Sequence, residues 1–212
     1  MPRSRLVIFT KAPRSGLAKQ RIAAAVGEAE ALRIHTELLR SVTTGLRDLR
    51  DVELRFTPDD AGAELKPFIQ PGWQLAPQGG GDLGQRLGAA FAHHFRSGAE
   101  RVAIIGSDCP HVTRADILDA WAKLDEHELV LGPAKDGGYW LIALRQSQPE
   151  LFRDIPWSTD RVLETTLERA QESGLRPELL RELSDVDTLE DWSQYTGSRF
   201  GVGAKAGQDV TP

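Results

Sequence analysis

Residues 102–105, Val-Ala-Ile-Ile, form a short apolar run rich in β-branched side chains, the pattern of a strand buried on both faces. The run stops at Gly106, and Ser107, Asp108, Cys109 and Pro110 follow at once. Helical spacing resumes over residues 113–125. A strand of this kind needs a covering layer on each side, so the stretch commits the chain to helices packed against both faces of a sheet. In an open α/β sheet, ligands bind just beyond the carboxyl ends of the central strands. Asp108 stands at such an end and is the first candidate for chemistry.

The rest of the chain repeats the alternation. Residues 5–10, RLVIFT, read as a first buried strand, followed by a polar loop through Arg21 and a short helix to Val26. Gly27 breaks that helix, and residues 28–49 carry helical apolar spacing at Ala31, Ile34, Leu38, Leu39, Val42 and Leu46. Strands are expected at 52–57, 73–76, 128–133 and 139–144, with 177–183 either a strand or irregular. Helices are expected from the glycine-rich loop QGGGDLG at 78–84 through Phe95, after residues 156–160 to about residue 173, and from 184–191 onward. Strands separated by helices predict an α/β, three-layer α/β/α sandwich with a mainly parallel, right-handed sheet. The loops at Lys11, Gly79, Ser107, Lys135 and Ser184 then crowd one edge of it. We read residues 1–197 as one domain and the small, polar stretch 198–212 as a disordered tail.

The totals narrow the function classes. A chain of 212 residues with 40% hydrophobic and 27% charged content suits one soluble α/β domain. A net charge of −5 argues against a general nucleic-acid binder or an anionic-membrane binder, since both need a basic surface. The apolar run at 6–9 is too short for a signal peptide, and no run approaches the roughly 20 residues that span a bilayer, so a cytoplasmic location is expected. The single cysteine, Cys109, excludes an intrachain disulfide and a cysteine-rich zinc site.

Within that frame the candidate site residues each carry a plain reading beside a functional one. Lys11, Arg14, Lys19 and Arg21 surround Ser15 and Gly16 directly after a strand and before a helix. Such a loop offers a polyphosphate both cations and free N–H groups, although GxxxxGK[ST] is absent. The plain alternative is a solvated basic loop. Gly79-x-Gly81-x-x-Gly84 matches the dinucleotide fingerprint literally, but Pro77 interrupts the strand before it and the required βαβ context is missing. Gly81 is read instead as letting backbone approach a ligand, and Asp82 as capping the following helix, with Arg86 facing either the ligand or solvent. Asp108 suits an oxygen-coordinated divalent cation, magnesium or manganese, and stands too far before Thr113 for a simple cap. Asp136-Gly137-Gly138 is either a turn or a place for substrate against backbone. Asp185 and Asp187 flank a helix start and are either part of its cap or further metal ligands beside Asp108. Asp160 is read as a cap before a base, Cys109 as packing, and His35, His93, His94 and His127 as surface residues.

Taken together, FTKAPRSGLAKQR, QGGGDLGQRL, VAIIGSDCP, LGPAKDGGYWLIAL, IPWSTDRVLE and LSDVDTLEDW resemble one bacterial family, the radical-SAM/selenodomain-associated transferase 1 or arsenosugar-biosynthesis glycosyltransferase group. That group falls within the nucleotide-diphospho-sugar transferase (GT-A) superfamily. The resemblance runs from Arg5 to Trp192 and implies a Rossmann-like GT-A fold. It also implies that Lys19 and Arg21 hold phosphates, that Asp108 is the metal aspartate, and that Asp185 or Asp187 completes the site. The chain departs from the family in having Lys19-Gln20-Arg21 where Lys-Thr-Arg is usual, and in offering only Asp108 where GT-A transferases commonly carry Asp-x-Asp. The expectation is an enzyme that transfers from a nucleotide or nucleotide-sugar donor to a small-molecule acceptor with a divalent metal. Asp108 and Asp136 stand at its reacting centre, and Lys11, Lys19, Arg21, Gly81, Asp82 and Arg86 lie around the nucleotide. Nucleotidyl transfer from an NTP to a small phosphorylated acceptor is the first alternative, and non-catalytic nucleotide binding the second.

Overall fold

The computed structural model describes residues 3–200. Seven strands form one sheet: β1 (Ser4–Lys11), β2 (Val52–Thr57), β3 (Gln74–Pro77), β4 (Arg101–Gly106), β5 (Leu129–Pro133), β6 (Tyr139–Leu144) and β7 (Pro177–Leu179). Their order is β3-β2-β1-β4-β6-β5-β7. All run parallel except β6, which is antiparallel to both its neighbours. The reversal is forced by chain length, because the tight turn through Asp136 and Gly137 cannot carry a parallel crossover, which takes a dozen residues or more.

Alternation along the central strands divides the core in two. Leu6 and Ile8 of β1, with Ala103 and Ile105 of β4, meet α2 (Glu28–Gly45) through Leu39 and Val42, with Leu46 just past its end, and α5 (Arg114–Lys123) through Ile117 and Ala120. Val7, Phe9, Val102 and Ile104 point the other way, onto Leu87, Ala90 and Phe91 of α4 (Leu83–Arg96) and Ala170 of α6 (Val162–Glu172). This is the expected α/β/α sandwich with a mainly parallel sheet. Each of the valine, leucine, isoleucine and phenylalanine side chains among them, withdrawn from water, contributes about 1.5–3 kcal/mol. A third cluster lies outside the sheet, where Ile22 of α1 (Gln20–Val26) and Ile34 and Leu38 of α2 pack with Val186 and with Trp192 and Tyr195 of α7 (Leu189–Phe200). It draws the segment around Val186 over the start of α1, which determines the site below. A four-residue helix, α3 (Gly62–Leu65), and a 3₁₀ turn, Lys66–Phe68, fill the connection from β2 to β3.

Local differences from expectation have local causes. The second helix ends at Gly45, short of residue 49, and the last helix continues to Phe200, past the start assigned to the tail. The remainder of that stretch, residues 201–212, lies outside the described residues. Asp160 caps nothing, since α6 begins after Arg161 with no side-chain cap. No helix among the described residues is long and apolar enough to cross a membrane.

Candidate functional site

The carboxyl ends of β1, β2, β3 and β4 open on a cavity of about 620 Å³ whose lining includes Lys11, Lys19, Arg21, Gln78, Arg86, Asp108, Trp157 and Asp187. That volume lies within the range of small-molecule sites, roughly 300–1,000 Å³. Six of the sequence candidates therefore converge on one space. Another groove, of about 810 Å³, runs along the outside of α2 past Arg33, Arg40 and Arg47, and it contains none of them.

The floor is built by the ends of β1 and β4. Ser107 N–H donates to the Phe9 carbonyl at 3.1 Å, and Ser107 Oγ donates to Thr10 Oγ1 at 2.9 Å, locking the two strand ends together beneath Asp108. The Val186 N–H then donates to the Asp108 carbonyl at 2.9 Å, bringing the segment before α7 alongside. Lys19 completes the arrangement. Its Nζ lies 2.9 Å from Asp108 Oδ1 and 2.9 Å from Asp187 Oδ1, and its side chain is 2% exposed against 43% and 41% for the two carboxylates. Burial alone would lower the Lys19 ammonium, but Asp108 and Asp187 outweigh it and hold its pKa above the ordinary lysine value. Burial alone would likewise raise the Asp108 carboxyl, and the Lys19 ammonium holds it below the ordinary range. The residue expected to hold phosphate is thus paired with two carboxylates in this structure.

The other early cations divide. Arg14 does not face the cavity: its guanidinium is taken by Glu64, at 2.6 Å, and Asp60, at 3.0 Å. Among the described residues neither Lys11 nor Arg21 lies within ion-pair distance of a carboxylate, and both line the cavity. Arg86 also faces it, which answers the question the sequence left open. Its Nη1 donates to Gln78 Oε1 at 2.8 Å, while Gln78 Nε2 donates to the carbonyls of Thr10 and Arg55.

Four expected contributors serve the fold instead. Asp82 Oδ1 accepts from Gln85 N–H at 2.8 Å, and Gln85 Oε1 accepts from Asp82 N–H at 3.0 Å, a reciprocal cap on α4. Gly81, at φ 94°, leaves room for that Gln85 side chain, so its missing Cβ serves the cap and not a ligand. Gly137, at φ 86°, meets the backbone of Asp160, where a Cβ would overlap the carbonyl, so the close approach read for a substrate is between two loops. Asp136 is exposed and accepts the Gly138 N–H at 3.0 Å, as a turn residue does.

Asp185 sits behind the Lys19 bridge. Its Oδ1 is buried without a hydrogen-bond partner. Burial first, then the charges of Asp108, Asp187 and Asp136, push its carboxyl up to about 7. An acidic group short of a cation, with oxygen donors only, has the donor chemistry of a magnesium or manganese site. Asp108, Asp185 and Asp187 are nonetheless not drawn into one tight ligand set, because Lys19 stands between two of them. Among the described residues the group whose ligand atoms lie within 4.8 Å of one another is Glu53, His93 and His94. It lies near the opposite, amino end of β2, and Glu53 is also paired there with Arg55, so its anion already has a cation.

Two histidines assigned to the surface are buried. His94 contacts Glu53 Oε1 at 3.0 Å. His35, 2% exposed, lines the cavity with Nε2 3.0 Å from the Lys11 carbonyl and Nδ1 buried without a partner. Burial lowers its pKa. The signal for His35 was its place between Ile34 and Leu38 on the apolar face of α2. Cys109 is buried, burial pushes its thiol up, and it packs as expected.

Comparison with known proteins places these features. The family described as "Uncharacterized protein conserved in bacteria (DUF2064)" matches residues 39–159. A candidate nucleotide-diphospho-sugar transferase from Desulfovibrio desulfuricans G20 is similar at 30% identity and TM-score 0.88, over 96% of this chain and 90% of that one. A CMP:2-keto-3-deoxy-manno-octonic acid synthetase, solved with CTP, aligns at 11% identity and TM-score 0.58 over 93% of this chain and 100% of its own. A Mycobacterium tuberculosis H37Rv protein solved with manganese aligns at 13% identity and TM-score 0.52, over 91% and 97%. These last two share the fold alone. No curated protein matches the chain. With the family matched over more than half of its residues and a 30% identical relative along nearly its whole length, the chain belongs to the bacterial family DUF2064 and has its GT-A-like fold.

Proposed function

We propose that the chain is a transferase that binds a nucleotide-diphospho-sugar in the cavity at the carboxyl ends of β1–β4 and passes its sugar to a small-molecule acceptor. The observation that carries this reading is the pairing, in one cavity, of the free cations Lys11 and Arg21 with the carboxylates Asp108 and Asp187. Departure of a nucleoside diphosphate needs electrostatic stabilisation more than covalent chemistry, and fixed cations facing the diphosphate supply it. Asp108 and Asp187, with Asp185 behind, are the residues that would hold a divalent cation, which would neutralise diphosphate charge when bound. Arg86 and Gln78 would position the nucleotide. Trp157 gives the cavity an aromatic wall.

The free cations are fewer than the sequence suggests, because Arg14 and Lys19 are engaged elsewhere. Similarity along nearly the whole chain to a candidate nucleotide-diphospho-sugar transferase supports glycosyl over nucleotidyl transfer. The motif set supports the radical-SAM/selenodomain-associated transferase 1 group as the finer assignment. Thermal unfolding against nucleoside triphosphates, diphosphates and nucleotide sugars, with and without manganese, tests the reading, since a ligand of the native state raises its stability by mass action. Selective stabilisation by a nucleotide sugar is expected. Selective stabilisation by one triphosphate would move the assignment to nucleotidyl transfer, and no response would contradict both.

A further inference from the structure

We infer that Lys19 is a resident counter-cation for Asp108 and Asp187 which a divalent metal must displace, so that metal entry and release of the Lys19 ammonium toward the donor's diphosphate are one event. The second half rests on the transferase reading above; the competition does not. A lysine 2% exposed must have its charge paired, and here two carboxylates share it at equal distances of 2.9 Å. An ammonium and a divalent cation cannot both sit against the same carboxylate oxygens, because they repel at close range in a partly desolvated site. The backbone would not need to move. Lys19 is held at φ 56° as the residue before α1, with its carbonyl accepting the Ala23 N–H at 2.8 Å, while the four-carbon stem above it carries the rotatable bonds through which the ammonium would turn. The cavity lies beside it, lined by Lys11 and Arg21, and supplies somewhere for the ammonium to go. Asp185 shows the cluster to be short of positive charge even with Lys19 in place, for its Oδ1 is buried without a partner. A released Lys19 would join Lys11 and Arg21 as a third cation at the diphosphate, and only in the metal-loaded state.

A purely structural role, in which Lys19 bolts the loop before α1 to the segment before α7, makes the opposite forecast for metal affinity. Manganese binding without nucleotide, followed by electron paramagnetic resonance of the free ion, separates the two. Lys19→Gln should bind manganese about tenfold more tightly than the wild type, because the metal-competent carboxylates are no longer occupied, and Lys19→Arg should stay near the wild type. Unchanged or weaker affinity in folded Lys19→Gln overturns the inference. Should that variant not fold, the buried Lys19 amine resonance in a ¹⁵N-lysine spectrum of the wild type, identified by its loss in Lys19→Arg, should shift on adding magnesium; a resonance unmoved at saturation also overturns it. Wild-type protein that binds nucleotide sugars while Lys19→Gln gains no manganese affinity sinks this inference alone. A gain in affinity with no donor bound by the wild type sinks the donor reading and leaves the competition standing.

Discussion

Asp185 carries the clearest pH dependence in the molecule. In the metal-free protein its carboxyl is pushed up to about 7, so the folded state binds its proton more readily than the unfolded chain does. Such a group stabilises the fold fully below its ordinary pKa of about 4, and that contribution is lost as pH rises through about 7. The wild type should therefore lose on the order of 2 kcal/mol relative to Asp185→Asn between about pH 4 and pH 8, a figure halved from the full shift because the residue is not wholly buried. Urea unfolding of both proteins at three pH values measures this; parallel stabilities would contradict the raised pKa. Gly137→Ala should cost about 2–4 kcal/mol through positive φ and the Asp160 carbonyl, read by the same unfolding. At this scale the sequence was legible in placing Asp108, Lys11 and Arg21 at one strand-end opening, which the alternation of strands and helices dictates. It was not legible at Lys19 or Arg14, because which anion takes a cation depends on segments more than forty residues away. His35 was misread because its neighbours on α2, and not its own polarity, decide its burial.

Two polar devices, an exposed cap and a buried ion pair, operate at the level of elements, and neither should touch the site. Asp82→Ala removes the cap on α4 and should cost about 1 kcal/mol while leaving donor affinity unchanged; a fall in affinity would return Asp82 to the binding residues. Glu53→Ala strips Arg55 and His94 of their shared carboxylate between β2 and α4 and should cost about 3 kcal/mol, since a buried charge is left unpaired. Thermal unfolding reads both. The cap at Asp82 and the strand runs were visible beforehand because local chemistry sets them. The antiparallel course of β6 was implicit in its short turn from β5. The pairing of β7 with β5 was not, because a three-residue strand has no periodicity to read.

The whole molecule turns on a strand order in which β2 and β4 flank β1, so that the loops after β1 and β4 face each other across the cavity. A protein of net charge −5 thereby concentrates Lys11, Arg21 and Arg86 around one opening, with carboxylates at its floor. That concentration was invisible in the total charge and partly visible in the motifs. The central claim is that this cavity holds the diphosphate of an activated sugar. It is tested most directly by the dissociation constant of the most stabilising nucleotide sugar for the wild type and for the Lys11→Ala/Arg21→Ala double variant, measured by calorimetry with manganese present. Loss of two charge-assisted contacts should weaken binding by at least about tenfold, with the fold retained. Equal affinity in a folded double variant would place the diphosphate elsewhere and contradict the account.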